Sequence, residues 1–307
     1  MTAKFCFHKL EELTRLVRIH GNFMLTLCVL HLIHSLVATL GNLFAICALW
    51  KASSIPDNLK KLFLSLACSD LAVGLFGQLM LGVIIAVMLK MAANGSYDYD
   101  FLCPTLLTVC YFSMSLLACA SFLNVTTTAV DRLLAVFLNL RYQELVTSKR
   151  VSLALVALWF ISSVAAFMFV SLPSRNSMVI AIIELVGLLL ATVAYFRIYK
   201  AVRYHRNQIQ SQIEQPHQET NLLREKKSAF NALVVYVVFV ACYLPNLCTE
   251  MLINDSLQIP FLLAIQVSLF LVLLNSSLNP VVYCWRYREI REVANKTAKK
   301  IFCVGGT

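Results

Sequence analysis

Residues 117–133 read LACASFLNVTTTAVDRL. The stretch is apolar, small or hydroxylic almost throughout, holds Ser121 partway along, and then meets Asp131-Arg132-Leu133. In a helix rising about 1.5 Å per residue, Arg132 lies ~16 Å beyond Ser121. A helix of this composition that ends on an ion pair reads as a membrane span whose last turn reaches the interface.

The whole chain fits an apolar solvent. It has 307 residues, 59% of them hydrophobic and 14% charged, and its mean hydropathy is +0.74. Soluble domains are ~45–50% apolar and roughly 25% charged. Spanning helices need ~20 mainly apolar residues. Seven segments qualify: 24–50, 60–89, 102–137, 151–172, 178–203, 229–253 and 260–284. The third exceeds a bilayer's thickness, so it is tilted or extends beyond it. The expected fold is an all-α membrane protein, a seven-transmembrane helix bundle. Residues 1–23 are expected to be an extracellular N-terminus, 24–284 the transmembrane domain, and 285–307 an amphipathic helix and cytoplasmic tail. The first span is read as an uncleaved anchor.

Charge placement sets the orientation. The net charge is +10, but the basic residues sit at the ends of apolar stretches, which argues against nucleic acid. With the N-terminus outside, twenty of the 26 Lys and Arg fall on the cytoplasmic side. The positive-inside bias therefore selects that topology. Sequons at Asn94 and Asn254 fall outside in the same topology and are candidate glycosylation sites. The chain is accordingly expected as a multi-pass plasma membrane protein. Of the eleven cysteines, Cys28, Cys47, Cys68, Cys110, Cys119 and Cys242 lie within spans and read as small apolar residues. No zinc-type Cys/His spacing, HExxH or GxSxG occurs. The chain is therefore not read as an enzyme, and no cofactor is expected. No repeated helical unit of the transporter kind is evident either.

Polar residues inside spans are costly and face the bundle interior. Asp70 lies mid-span two, Ser121 in span three, and Asn275 and Asn279, four apart on one helical face, in span seven. Their convergence makes either a small-cation site of hard oxygen ligands or a hydrogen-bonded network with water. Arg132 is placed to pair with Glu225 at the foot of span six, with Asp131 holding the guanidinium. Pro245 and Pro280 each remove a backbone hydrogen bond and kink their spans.

These positions together resemble the rhodopsin-like, class A G protein-coupled receptors. The matching motifs are Gly41-Asn42, Leu66-Ala67-x-x-Asp70, Asp131-Arg132-Leu133, Trp159, Tyr195, Cys242-Tyr243-Leu244-Pro245 and Asn279-Pro280-Val281-Val282-Tyr283. They occur in order, one set per span. The resemblance implies an extracellular agonist bound among the outer halves of the spans and outward motion of span six. Arg132 would be released from Glu225, Tyr195 and Tyr283 would rearrange, and a heterotrimeric G protein would enter the cytoplasmic cleft. It also implies sodium at Asp70, Ser121, Asn275 and Asn279, and arrestin and receptor kinases as partners. The cytoplasmic motifs look most like adenosine receptors. The short 171–177 loop is more like melanocortin receptors.

Departures limit the ligand. Met114 stands where amine receptors place an aspartate, and Leu273 where opsins place a lysine and adenosine receptors a histidine. Met80 and Leu107 replace the acidic residues of melanocortin receptors. Tyr243 replaces the usual tryptophan toggle, and Gly187 stands where span five usually has proline. The usual disulfide from span three to the second outer loop is not expected, because that loop has no cysteine. Cys103 is left with Cys6 or Cys248 as possible partners. Glu184 and Glu250, with Tyr111, Met114, Tyr243 and Gln266, are the pocket candidates, and they suit a cationic or amphipathic ligand. The basic, amphipathic 285–301 segment should lie on membrane lipids, with Cys303 a palmitoylation candidate.

Overall fold

The computed structural model describes residues 2–53, 55–95, 102–103, 105–138, 141–172, 176–210, 234, 236–252, 258–286 and 291–292. Helix α1 spans Thr2–Ile19 and α2 spans Gly21–Lys51. Helix α3, Asp57–Ala72, continues through a wider π-helical turn at Val73–Gln78 into α4, Leu79–Ala93. Then follow α5 (Thr105–Leu138), the short α6 (Tyr142–Leu145), α7 (Ser148–Ser171) and α8 (Asn176–Gln210). The last two are α9 (Tyr236–Met251) and α10 (Ile259–Arg286). No strand occurs among the described residues.

Six of these units are long and apolar enough to cross a membrane: α2, α3–α4, α5, α7, α8 and α10. The sixth expected span appears as the shorter apolar α9. The chain is therefore a bundle of seven apolar helical units, as the hydropathy pattern implies. Leu36, Leu40, Leu153, Phe160, Phe167 and Leu189 all point outward and are more than half exposed. Such a coat suits acyl chains, because soluble proteins rarely expose large contiguous apolar patches.

Inside the bundle the polarity inverts. Asn42, Asp70, Gln78, Ser121 and Asn124 are buried. Each makes at least one hydrogen bond, since an unpaired polar group in hydrocarbon costs several kcal/mol, although the side-chain oxygens of Asn42, Gln78 and Asn124 have none. Asn42 Nδ2 donates to Ala38 O and to Ser276 O, both at 2.9 Å, and so ties α2 to α10. Trp159 Nε1 donates to Ser65 Oγ at 3.2 Å and ties α7 to α3.

The π turn lies tight against α2. A Cβ added at Gly74 would stand 2.7 Å from Thr39 Oγ1 and 2.9 Å from Thr39 N, so only glycine allows α2 this close. Ser35 Oγ then donates to Gly74 O at 2.9 Å, fastening the irregular turn to α2. Gln78 Nε2 reaches across to Leu273 O at 3.0 Å.

The N-terminal segment departs from expectation. The sequence reading assigns no structure to residues 1–23, yet α1 is a helix with one buried face. Phe5, Cys6, Leu10, Leu13, Leu16 and Val17 are buried on that face. They join the apolar cluster of Met24, Ile85, Leu107 and Tyr111 at one end of the bundle. Cys6 is disulfide-bonded to Cys103, one of the two partners the sequence leaves open.

Candidate functional site

Three polar layers lie along the bundle axis. The first is a cavity of about 90 Å³ beneath α1. Lys9 and Glu12 line it from α1, Tyr111 from α5, Glu184 from α8, Glu250 from α9 and Gln266 from α10. Lys9 Nζ pairs with Glu12 Oε2 at 2.8 Å. The amide of Asn246 donates to both oxygens of Glu184, at 3.0 and 3.3 Å. Ser268 Oγ lies 3.4 Å from Asn246 Oδ1 and 3.1 Å from Thr249 Oγ1. This network joins α8, α9 and α10 at one height. Met114 also lines the cavity, as expected.

Tyr243 does not line it. Its ring lies deeper, packed on Phe122 and Phe239 with centroids 4.8 and 5.0 Å away. Phe122 lines the cavity floor, so this aromatic cluster separates the first layer from the second. Asn246, Phe122, Lys9 and Glu12 are not among the site residues the sequence puts forward. Asn246 is one residue after Pro245, and a polar residue there in an apolar span is the signal that could have found it.

The second layer centres on Asp70. Ser121 Oγ donates to its Oδ1 at 2.7 Å, and Asn279 Nδ2 to its Oδ2 at 2.6 Å. Ser276 lies beside it, a neighbour the sequence reading omits. Asn275 is buried, but its amide nitrogen has no partner, so it is not a ligand of Asp70 here. Tyr243 lies close to Ser121 and Asp70, so the aromatic cluster borders the layer of the buried carboxylate. No cluster of three or more His, Cys, Asp or Glu able to hold a metal occurs among the described residues. The set around Asp70 is instead one carboxylate with the neutral hydroxyls of Ser121 and Ser276. These are hard oxygens of the kind a small monovalent cation takes.

The third layer is at the far end of α5. Arg132 Nε donates to Asp131 Oδ2 at 3.0 Å, and its terminal nitrogen contacts the same oxygen. The Tyr142 hydroxyl donates to Asp131 Oδ1 at 2.6 Å. Burial first, and then the hydrogen bond and charge of Asp131, push the Tyr142 phenol up to about 12. The rings of Tyr195 and Tyr236 meet at a tilt with centroids 5.3 Å apart, and Tyr236 shares a 2.8 Å hydrogen bond with Thr192. Glu225, Asn254 and Cys303 lie outside the described residues, as does the Tyr283 side chain. Pro280 lies inside α10, and its ring would stand 3.1 Å from a Cβ on Gly41.

A pocket, a buried carboxylate and an anchored arginine stacked through one helical bundle are the build of a membrane receptor. The family described as 7 transmembrane receptor (rhodopsin family) matches residues 41–179 and 172–283, and the chain belongs to it. It is similar to melanocortin receptor 4 of Danio rerio, with 25% identity covering 87% of this chain and 81% of that one. It is 25% identical to adenosine receptor A2a of Homo sapiens, covering 85% and 69%. With the histamine H2 receptor of Cavia porcellus the identity is 26%, covering 92% and 80%. The chain is thus a multi-pass G protein-coupled receptor and not an enzyme.

Proposed function

We propose that this receptor sits in the plasma membrane with its N-terminus outside and takes a cationic or amphipathic ligand into the cavity beneath α1. The carrying observation is the pair of carboxyl groups in that cavity. Glu184 and Glu250 face it in otherwise largely apolar surroundings, while Glu12 is already in contact with Lys9 and His8. A cation entering such a low-dielectric site draws on these carboxyl groups, because attraction there is far stronger than in water. The three relatives are named for three different ligands, so similarity does not choose among them.

The response is a population shift. A ligand drawing on Glu184 engages Asn246 and, through it, Ser268. It therefore biases the packing of α8, α9 and α10 together. The Phe122–Tyr243 cluster lies directly below and borders the Asp70 layer. Asp70, with the oxygens of Ser121 and its neighbours, would hold a sodium ion, whose charge would stabilise the resting arrangement. Agonist displaces that balance, α9 pivots at Pro245, and Arg132 leaves its resting partners, Glu225 among them, to meet a heterotrimeric G protein. A ligand must prefer the active state by ~5.5 kcal/mol to move a 1:99 equilibrium to 99:1. Asn94, at an exposed turn after α4, is then on the outer side and open to glycosylation. Arrestin, receptor kinases and inner-leaflet lipids, with acylation at Cys303, complete the expected partners.

The test is a screen of amines and cationic peptides on cells reporting cyclic AMP and calcium. Any hit should lose at least about tenfold in potency, roughly 1.4 kcal/mol, on Glu184→Gln at matched surface expression. A potent agonist with no basic group, unaffected by that substitution, would overturn the cationic reading.

A further inference from the structure

The cavity is too small for the ligands such receptors usually take, and α1 is the reason. The cavity holds about 90 Å³. Pockets for drug-sized ligands occupy ~300–1,000 Å³. The wall that limits this one is not part of the seven-helix bundle. Lys9 and Glu12 of α1 line it from above, and α1 also packs on α2, α4, α5, α7 and α10.

Both ends of α1 are fastened. Near its start, Cys6 is bonded to Cys103, just before α5 begins. At its end only His20 interrupts the helix before α2, with φ −126° and ψ 48°. No atom beyond the immediate neighbours lies within 4 Å of a Cβ built on Gly21. The His20–Gly21 joint is therefore both short and sterically open. The underside of α1 is anchored by apolar contact and by ring edges. Phe5 meets Tyr111 and Phe169 at 5.8 and 5.5 Å, and both of those residues line the cavity. The element that closes the pocket thus touches its lining directly and is joined to the bundle by one pivot and one covalent clip.

We propose that α1 is the lid of the ligand pocket, held shut by the Cys6–Cys103 bond and hinged at His20. With the clip in place access to the pocket is narrow and slow. Without it, α1 swings away and larger cations enter. This deepens the pocket reading above by assigning what limits ligand size.

Cys119 provides an internal reporter, because it lines the cavity and is buried. The reagent is the cationic 2-(trimethylammonium)ethyl methanethiosulfonate, applied to whole receptor in cells. Labelling is followed by peptide mass spectrometry in a Cys248→Ser background, with Cys119→Ala defining the reaction at that site. The lid predicts that adding Cys6→Ser/Cys103→Ser raises the Cys119 labelling rate at least tenfold. Should that variant fail to reach the surface, deletion of residues 2–19 with Cys103→Ser reads the same access. Equal labelling rates with and without the clip would overturn the proposal. So would failure of both variants to fold, since α1 would then be a structural member and not a lid. The assay reads access without any receptor response, so a negative result here leaves the cationic-ligand reading, tested at Glu184, standing.

Discussion

The Tyr142 hydroxyl donates a 2.6 Å hydrogen bond to Asp131 Oδ1, while Arg132 Nε holds Oδ2 of the same carboxylate at 3.0 Å. Both oxygens of Asp131 are thus engaged, one by its neighbour and one by the short helix α6. The carboxylate that restrains Arg132 is itself fixed from outside α5.

Removing that hydroxyl loosens the restraint. Tyr142→Phe deletes a hydrogen bond to a charged group, of a kind contributing ~1.5–3 kcal/mol when buried. Tyr142 is only partly buried, so water recovers some of this. A shift of about 1 kcal/mol, roughly fivefold, in agonist-independent nucleotide exchange is expected. The phenol, raised to about 12, keeps its proton and its bond until pH approaches that value. The ratio of variant to wild type should therefore be flat over roughly pH 6–9. Unchanged or lower basal exchange would show that Tyr142 does not restrain Arg132.

The Asp70 layer makes a prediction that needs no agonist. A cation that binds only the folded receptor raises its thermal midpoint by mass action. Exchanging potassium for sodium at constant ionic strength should raise the midpoint of the wild-type receptor. Asp70→Asn, which keeps the shape and an acceptor for Ser121, should abolish the difference. A sodium-dependent rise that survives in Asp70→Asn would place the ion elsewhere.

Gly187 tests the aromatic cluster. A Cβ there would overlap the edge of the Phe122 ring. That ring is stacked on Phe239 at 5.2 Å and set against Tyr243, so it has little room to yield. Overpacking costs ~1–3 kcal/mol, and alanine's better helix propensity returns only ~0.8–1. Gly187→Ala should therefore lower the thermal midpoint by a few degrees. A higher midpoint would mean that propensity outweighs the contact.

The buried charges were the most legible part of this chain. Lipid penalises an unmatched Asp70 so heavily that its partners had to lie on neighbouring spans, and Ser121 and Asn279 do hydrogen-bond it. Asp131 and Arg132 were readable for the same reason. Asn275 shows the limit of that reasoning. It shares a helical face with Asn279, yet the shorter Ser276 lies beside Asp70. Helical periodicity fixes a face to within about a hundred degrees, which does not resolve adjacent residues such as Asn275 and Ser276. Tyr142 escaped notice because it sits in a connection, where no periodic pattern marks it.

Helix α1 was legible but overlooked. Cys6, Leu10, Leu13 and Val17 are spaced by four, three and four residues, which is one face of a helix. Glu11, Arg15 and Arg18 on the exposed side, with Glu12 among them in sequence, gave the segment the composition of a polar tail. Its buried face has value only against the assembled bundle, so no local feature could have assigned it to the pocket.

Arg132 carries the central claim, that this bundle converts occupancy of an outer pocket into nucleotide exchange at its other end. The most direct measurement is guanine nucleotide exchange on purified G protein heterotrimers of each α class, with receptor in lipid nanodiscs. Wild type should accelerate exchange on at least one class, and Arg132→Ala, folded and equally abundant, should return that rate to the receptor-free value. No acceleration on any class, or full activity in Arg132→Ala, would contradict the account.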